Sequence, residues 1–196
     1  MSKVVIIDYG AGNIQSVQFA LERLGVQARL THNKEDILSA NKVIFPGVGH
    51  ATPAMKSLQA KGLDKLIPTL TQPVLGICLG MQLMCSFSEE NNQNGLGIFG
   101  ATVKKFLGQE KVPHIGWNDI TLKKSNLLKG IKKNAYVYFV HSFYAETGSE
   151  TIAITNYGQN FSAALQKNNF YGCQFHPEKS GELGQKILKN FLTINK

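Results

Sequence analysis

Cys78 stands in the stretch Gln72-Pro73-Val74-Leu75-Gly76-Ile77-Cys78-Leu79-Gly80-Met81-Gln82. A short apolar run rich in branched residues there gives way to Leu79, Met81, Gln82, Leu83 and Met84, which favour helix. The change of pattern predicts a strand-to-helix corner at the cysteine. Gly76 and Gly80, two residues to either side, remove side chains that would crowd so sharp a turn. This is the nucleophile-elbow arrangement with cysteine in place of serine. A thiol at that corner faces the positive end of a helix, which favours thiolate, and the Leu79 backbone N–H can receive an oxyanion. A buried cysteine that only fills space is the alternative, but it does not call for two spaced glycines.

Two further stretches complete a constellation. Gln174-Phe175-His176-Pro177-Glu178-Lys179-Ser180 carries a histidine before proline, which is biased to extended backbone. In extended chain, residues two apart project to one side, so His176 and Glu178 can face together as a base and its orienter, which a thiol nucleophile requires. Pro46-Gly47-Val48-Gly49 is a turn whose glycines can direct backbone N–H groups toward an oxyanion as a second donor beside Leu79. Glycines on both sides of Val48 also make a peptide reorientation cheap.

The elements that must hold these groups read as α/β. Lys3 to Ile7, Gln27 to Thr31 and Lys42 to Phe45 read as strands. They alternate with helices from Ile14 (spacing Ile14, Val17, Leu21, Leu24), Lys34 to Ser39, and Ala51 to Ala60, which implies a parallel sheet with helices on its faces. Ligands collect beyond the carboxyl ends of such strands. Asp8-Tyr9-Gly10-Ala11-Gly12-Asn13 lacks the G-x-G-x-x-G spacing of a dinucleotide fingerprint, and Asn13 suits an N-cap. From Gly95 the pattern changes to short strands: Ala101 to Phe106, Asn118 to Leu122, Tyr136 to His141, Ile152 to Asn156, Phe161 to Gln166, and Phe170 to Phe175. These read as antiparallel additions to the sheet. A helix from Glu182 to Ile194 closes the chain.

With 196 residues, 43% hydrophobic and 17% charged, the expectation is one domain over 1–196. No apolar run reaches the length of a membrane span, and the N-terminal apolar stretch is too short for a secretory signal. Three cysteines, an odd number, lie at neither disulfide-framework nor metal-ligand spacing, which fits a reducing cytoplasm, with Cys85 and Cys173 as core residues. The net charge of +8 raises nucleic acid as a partner. Yet the densest basic cluster (Lys123, Lys124, Lys129, Lys132, Lys133) has no interleaved aromatic residues to stack on bases, so none is expected. No metal or cofactor is called for.

Gly76-Ile77-Cys78-Leu79-Gly80-Met81-Gln82, the Pro46-Gly47-Val48-Gly49 turn and His176-Pro177-Glu178 together resemble the class I (triad) glutamine amidotransferases. Asp8 to Asn13, Val112-Pro113-His114-Ile115-Gly116-Trp117-Asn118 and Tyr138-Phe139-Val140-His141-Ser142 are most similar to the branch of that family serving histidine biosynthesis. The resemblance implies a flavodoxin-like fold: a mostly parallel central sheet, helices on both faces and added antiparallel strands. It implies glutamine hydrolysis through a Cys78 thioester, with His176 as acid/base and Glu178 as its orienter. Gly47, Gly49, Leu79, Gln82 and Ser142 would bind glutamine and its oxyanion. Ammonia would pass to a (β/α)8-barrel cyclase subunit in a heterodimer, for synthesis of imidazole glycerol phosphate and aminoimidazole carboxamide ribonucleotide. Asn13, Trp117, Tyr138 and Lys179 would face that partner. His50 and Pro53 depart from the small or apolar residues common after the glycine turn. Three other readings compete: a paralogue amidating a surface-polysaccharide sugar, a cysteine peptidase, and a non-catalytic binding or stress-response module of the same fold. The last leaves His176 and Glu178 unexplained, and Gln82 with the glycine-lined corner suits a small amino-acid substrate better than a peptide.

Overall fold

The computed structural model describes residues 3–10, 14–108 and 110–195. The first half runs β1 (Val4–Ile7), α1 (Ile14–Glu22), β2 (Ala28–Thr31), α2 (Lys34–Leu38), β3 (Lys42–Phe45), α3 (Ala51–Ala60), the short α4 (Leu63–Leu66), β4 (Val74–Ile77) and α5 (Leu79–Met84). The second half runs β5 (Cys85–Ser88), β6 (Gln93–Asn94), β7 (Phe99–Lys105), β8 (His114–Leu122), β9 (Ala135–His141), β10 (Phe143–Ala145), β11 (Thr151–Tyr157), β12 (Gln159–Lys167), β13 (Phe170–Cys173) and α6 (Gly181–Thr193). Asn13, expected to cap α1, lies outside the described residues.

A nine-stranded sheet has the order β2-β1-β3-β4-β13-β12-β11-β8-β9. Its first five strands pair in parallel, and the remaining pairings are antiparallel. Continuous apolar runs such as Val4 to Ile7 and Val74 to Ile77 are buried along their whole length. A parallel strand covered on both faces requires such a run. Alternate side chains feed two cores: Val4, Ile6, Leu75 and Ile77 pack with α1 and α6, whereas Val5, Ile7, Val43 and Phe45 pack with α2, α3 and α5. Helix formation follows local chemistry. The Asn33 side chain accepts from the backbone N–H groups of Glu35 and Asp36 to start α2, and α6 turns Ile187, Leu188 and Phe191 inward.

Two expectations require correction. The segment predicted as Ala101 to Phe106 does not join the main sheet; as β7 it forms a separate four-stranded sheet of order β10-β7-β5-β6. Its partner β5, the Ser-containing run Cys85-Ser86-Phe87-Ser88, follows α5 without a loop, so helical composition hid a strand that pairs with the distant β7 and the two-residue β6. The last strand, predicted to reach Phe175, ends at Cys173, and the chain bends at Gln174 and Phe175.

Since β3, β4 and β13 are neighbours running the same way, their carboxyl ends share one rim. That places the Pro46 to Gly49 turn, Cys78 and His176 at the same edge. The close approach of α5 to β3 rests on Gly80, where a Cβ would sit far inside van der Waals contact with the Phe45 carbonyl oxygen. Gly80→Ala is therefore expected to destabilise the protein by about 3 kcal/mol or more, as overpacking against backbone does. Gly148→Ala, with nothing within 4 Å of its added Cβ, should leave the urea midpoint within experimental error. Equal midpoints for the two variants would contradict this packing account.

Candidate active site

Cys78 links β4 to α5 with φ 52° and ψ −110°, a backbone conformation that a residue with a side chain adopts only when its surroundings enforce it. The enforcement is visible on both sides of the corner. The Cys78 N–H donates to the Cys173 carbonyl at 2.7 Å, and its own carbonyl accepts from the Gln82 N–H at 3.1 Å as the first helical bond of α5. Leu79 is the first residue of that helix, so its N–H has no acceptor within the helix. The Cys78 side chain is buried, with Sγ 3.8 Å from the Val140 carbonyl oxygen.

His176 and Glu178 come together by a different route from the extended one expected. Pro177–Lys179 form a turn of 3-10 helix that curls the Glu178 carboxylate back onto His176, with Nδ1 2.7 Å from Oε1. Ser180 fixes the turn: its Oγ donates to the His176 carbonyl at 2.7 Å and accepts from the Tyr138 N–H. Both side chains of the pair are almost wholly buried. Nε2 of His176 is buried without a hydrogen-bond partner, as is Oε2 of Glu178. Burial alone pushes the imidazolium of His176 down, but Cys78 and Glu178 push it up and win, raising it to about 10. The pair can thus hold a proton on the imidazole.

A cavity of about 390 Å³ opens over Cys78. Of the residues singled out in the sequence, Cys78, Gly49, Leu79, Gln82, Ser142 and His176 line it. Glu178 reaches it only through His176. Gly47 lies behind the lining, where an added Cβ would come 2.7 Å from the Tyr9 hydroxyl and 2.9 Å from the Leu79 Cβ. Tyr9, fully buried, donates from its hydroxyl to the Pro46 carbonyl at 2.9 Å and anchors the base of the turn. Burial and the nearby Cys78 charge both raise its pKa and keep it a donor. Gly49 at the tip has φ +95°.

Several lining residues were not legible in the sequence. Glu90 accepts from the Ala51 N–H at 2.8 Å and pairs with exposed His50 at 2.7 Å, so α3 is capped by a carboxylate 39 residues away in the chain. His141 and Gln174 join the site through hydrogen bonds that span the second half of the chain. His50 therefore belongs to the cap of α3, and Pro53 lies within the first turn of that helix, where proline is tolerated. Outside the cavity, Trp117, Tyr138 and Lys179 cluster: the two rings are 6.1 Å apart, and Lys179 Nζ lies 5.9 Å from the Tyr138 ring.

Two opposed titrations bear on stability. His176, raised to about 10, contributes stability that is complete below its ordinary value near 6.5 and is lost as pH rises through 10. Burial lowers His114 to about 4 and His141 to about 3; they contribute stability above 6.5 that is lost as pH falls toward those values. The urea midpoint should therefore peak near pH 6.5 to 7, each group changing stability by at most about 1.4 kcal/mol per pH unit. Glu178→Gln should flatten the alkaline limb and spare the acid one. An unchanged alkaline limb would mean that Glu178 does not hold the imidazolium.

Residues 5–195 match the family described as Glutamine amidotransferase class-I. The imidazole glycerol phosphate synthase subunit HisH of Bacteroides fragilis (strain YCH46) is 57% identical over 195 residues, covering 98% of this chain and 100% of its relative. The subunit of the same name from Blochmanniella floridana is 48% identical with the same coverage of both chains. The fold is shared with a solved glutamine amidotransferase at a TM-score of 0.76 and 19% identity, over 96% of each chain. It is shared also with PurLQS from Thermotoga maritima, at a TM-score of 0.72 and 17% identity over 98% of each chain. The chain belongs to the class-I glutamine amidotransferase family.

Proposed function

We propose that the chain hydrolyses glutamine to glutamate and ammonia at Cys78 and supplies the ammonia to a (β/α)8-barrel cyclase subunit. The acceptor reaction yields imidazole glycerol phosphate and aminoimidazole carboxamide ribonucleotide in histidine biosynthesis. The observation that carries the chemistry is the buried His176–Glu178 pair beside a cysteine held at positive φ on the floor of a cavity. The Cys78 thiolate attacks the carboxamide carbon of glutamine, and the oxyanion forms against the Leu79 N–H and the backbone of the Gly47 to Gly49 turn. His176 gives its proton to the departing nitrogen, which leaves as ammonia as the C–N bond breaks, and the acyl group stays on Cys78 as a thioester. His176 then takes a proton from water as the water attacks the thioester, and glutamate and the thiolate are released. Gln82 and Ser142 line the space for the amino-acid portion.

The pathway rests on the relatives at 48% and 57% identity, both named as subunits of imidazole glycerol phosphate synthase. The docking face rests on chemistry at the β8–β9 edge, where Ile115, Trp117 and Tyr136 are 60%, 54% and 59% exposed. Apolar side chains left so open in one place call for a partner surface. Tyr138 and Lys179 continue that face toward His176, whose N–H donates to the Tyr138 carbonyl at 2.9 Å. Val48, 39% exposed between two glycines, lies at the cavity's rim. Reorienting a peptide there gains or loses one oxyanion donor, worth about 10²- to 10³-fold in rate, so docking can govern glutaminase activity.

In the assembled two-subunit enzyme, Cys78→Ser should abolish glutamine-dependent synthesis by several orders of magnitude and leave ammonium-dependent synthesis at the parental rate. Loss of both would mean that Cys78 serves the partner's chemistry or assembly. Glutaminase turnover should also rise on adding the partner and an acceptor analogue. A free chain already at the fully loaded rate would refute control by docking.

A further inference from the structure

A line of hydrogen bonds runs through the second half of the chain and ends on the sulfur of Cys78. Gln174 is fully buried, and its Nε2 donates to Cys78 Sγ at 3.7 Å. Its Oε1 accepts from Gln82 Nε2 at 2.9 Å, and the same Gln82 nitrogen donates to the Phe143 carbonyl at 2.8 Å. That carbonyl also lies 2.7 Å from His141 Nδ1, and His141 Nε2 lies 3.0 Å from His114 Nδ1. His114 is clamped between the rings of Tyr157 and Phe139, stacked at 4.0 and 4.9 Å between centroids.

The direction of every bond follows from one acceptor. A carbonyl oxygen cannot donate, so His141 must carry its proton on Nδ1. A neutral His141 then offers a lone pair at Nε2, which requires the proton of His114 on Nδ1. Gln82 cannot flip its amide, because its oxygen would then face the Phe143 carbonyl. Gln174 cannot flip either, since its NH2 would meet the NH2 of Gln82. The amide of Gln174 is left with a single orientation, N–H toward the sulfur. Having no proton to lose, a carboxamide there can stabilise negative charge and cannot neutralise it.

We propose that Gln174 is a catalytic residue that donates to the Cys78 thiolate, and that Gln82, held by the Phe143 carbonyl, is the positioning residue fixing its amide in that sense. The sulfur then has the His176 imidazole and this neutral donor beside it, while Glu178 stands behind His176. The same arrangement commits both hydrogens of the Gln82 amide to the protein and leaves its oxygen for the cavity. The inference rests on the glutaminase reading for its catalytic part, but the donor to sulfur can be read without glutamine.

The test is the second-order rate of Cys78 alkylation by iodoacetamide at pH 7, read by mass spectrometry of the Cys78 peptide of the full chain. A hydrogen bond to a charged group is worth about ten- to a hundred-fold. Gln174→Met, close in volume but without a donor, should slow alkylation by that factor and lower kcat for glutamine in parallel. Parental alkylation and kcat in a folded Gln174→Met protein would overturn the proposal. Slowed alkylation without any glutaminase activity in the parent assembled with its partner and an acceptor analogue would sustain the donor and defeat the glutaminase reading. Gln82→Met, which removes the donor that holds the Gln174 oxygen, should show part of the same loss; a parental alkylation rate in this folded variant would overturn the positioning role. Should the variants not fold, 15N–1H spectra of the parent chain decide: the side-chain NH2 resonances of Gln174 are expected to shift when Cys78 is alkylated, and resonances that do not move would overturn the donor.

Discussion

The site depends on one backbone constraint: Cys78 at positive φ, between a parallel strand and a helix that lies close against the neighbouring strand. Such a conformation costs about 1 to 3 kcal/mol, so it persists only where the surroundings over-determine it. The bond from the Cys78 N–H to the Cys173 carbonyl fixes one side of the corner. The packing of Gly80 against the Phe45 carbonyl fixes the other. Together they bind β4 to both neighbours, β13 and β3, whose ends bring His176 and the glycine turn to the thiol. Strain at one residue is thus coupled to the order of strands in the sheet.

Charge is handled inside this frame by pairing rather than exposure. His176 and Glu178 are both buried, and a buried pair broken on one side costs about 3 to 5 kcal/mol because it leaves an uncompensated charge. The unpartnered Nε2 of His176 is the atom at which a proton can be exchanged with a reacting group. His114 and His141, buried in the same region, are held neutral by the same desolvation, because among the described residues no carboxylate faces them to reverse it. His141, held neutral, and His176, held charged, therefore line one cavity, each suited to a different task.

What the sequence made legible was local. The parallel half could be read because each strand is an apolar run and each helix has a regular apolar spacing, and the cysteine corner could be read because its glycines are adjacent in the chain. His176 and Glu178 were paired from their spacing, although the turn that joins them is helical and not extended. The small sheet is not encoded locally, because β5 pairs with β7 across a gap in sequence and with a strand of only two residues, β6. Glu90 as a cap for α3, and Gln174 and His141 as neighbours of the site, depend on partners 27 to 92 positions away. No local composition encodes such contacts.

The central claim is that Cys78 is the nucleophile of a glutamine site, and it is tested most directly by covalent capture. The chain would be incubated with a chloroketone analogue of glutamine in the presence of its partner, and its cysteine-containing peptides weighed. The account predicts one label per chain, on Cys78, slowed by competing glutamine, with Cys85 and Cys173 unmodified in their buried positions. Label on another residue, or label on Cys78 that glutamine does not slow, would contradict it.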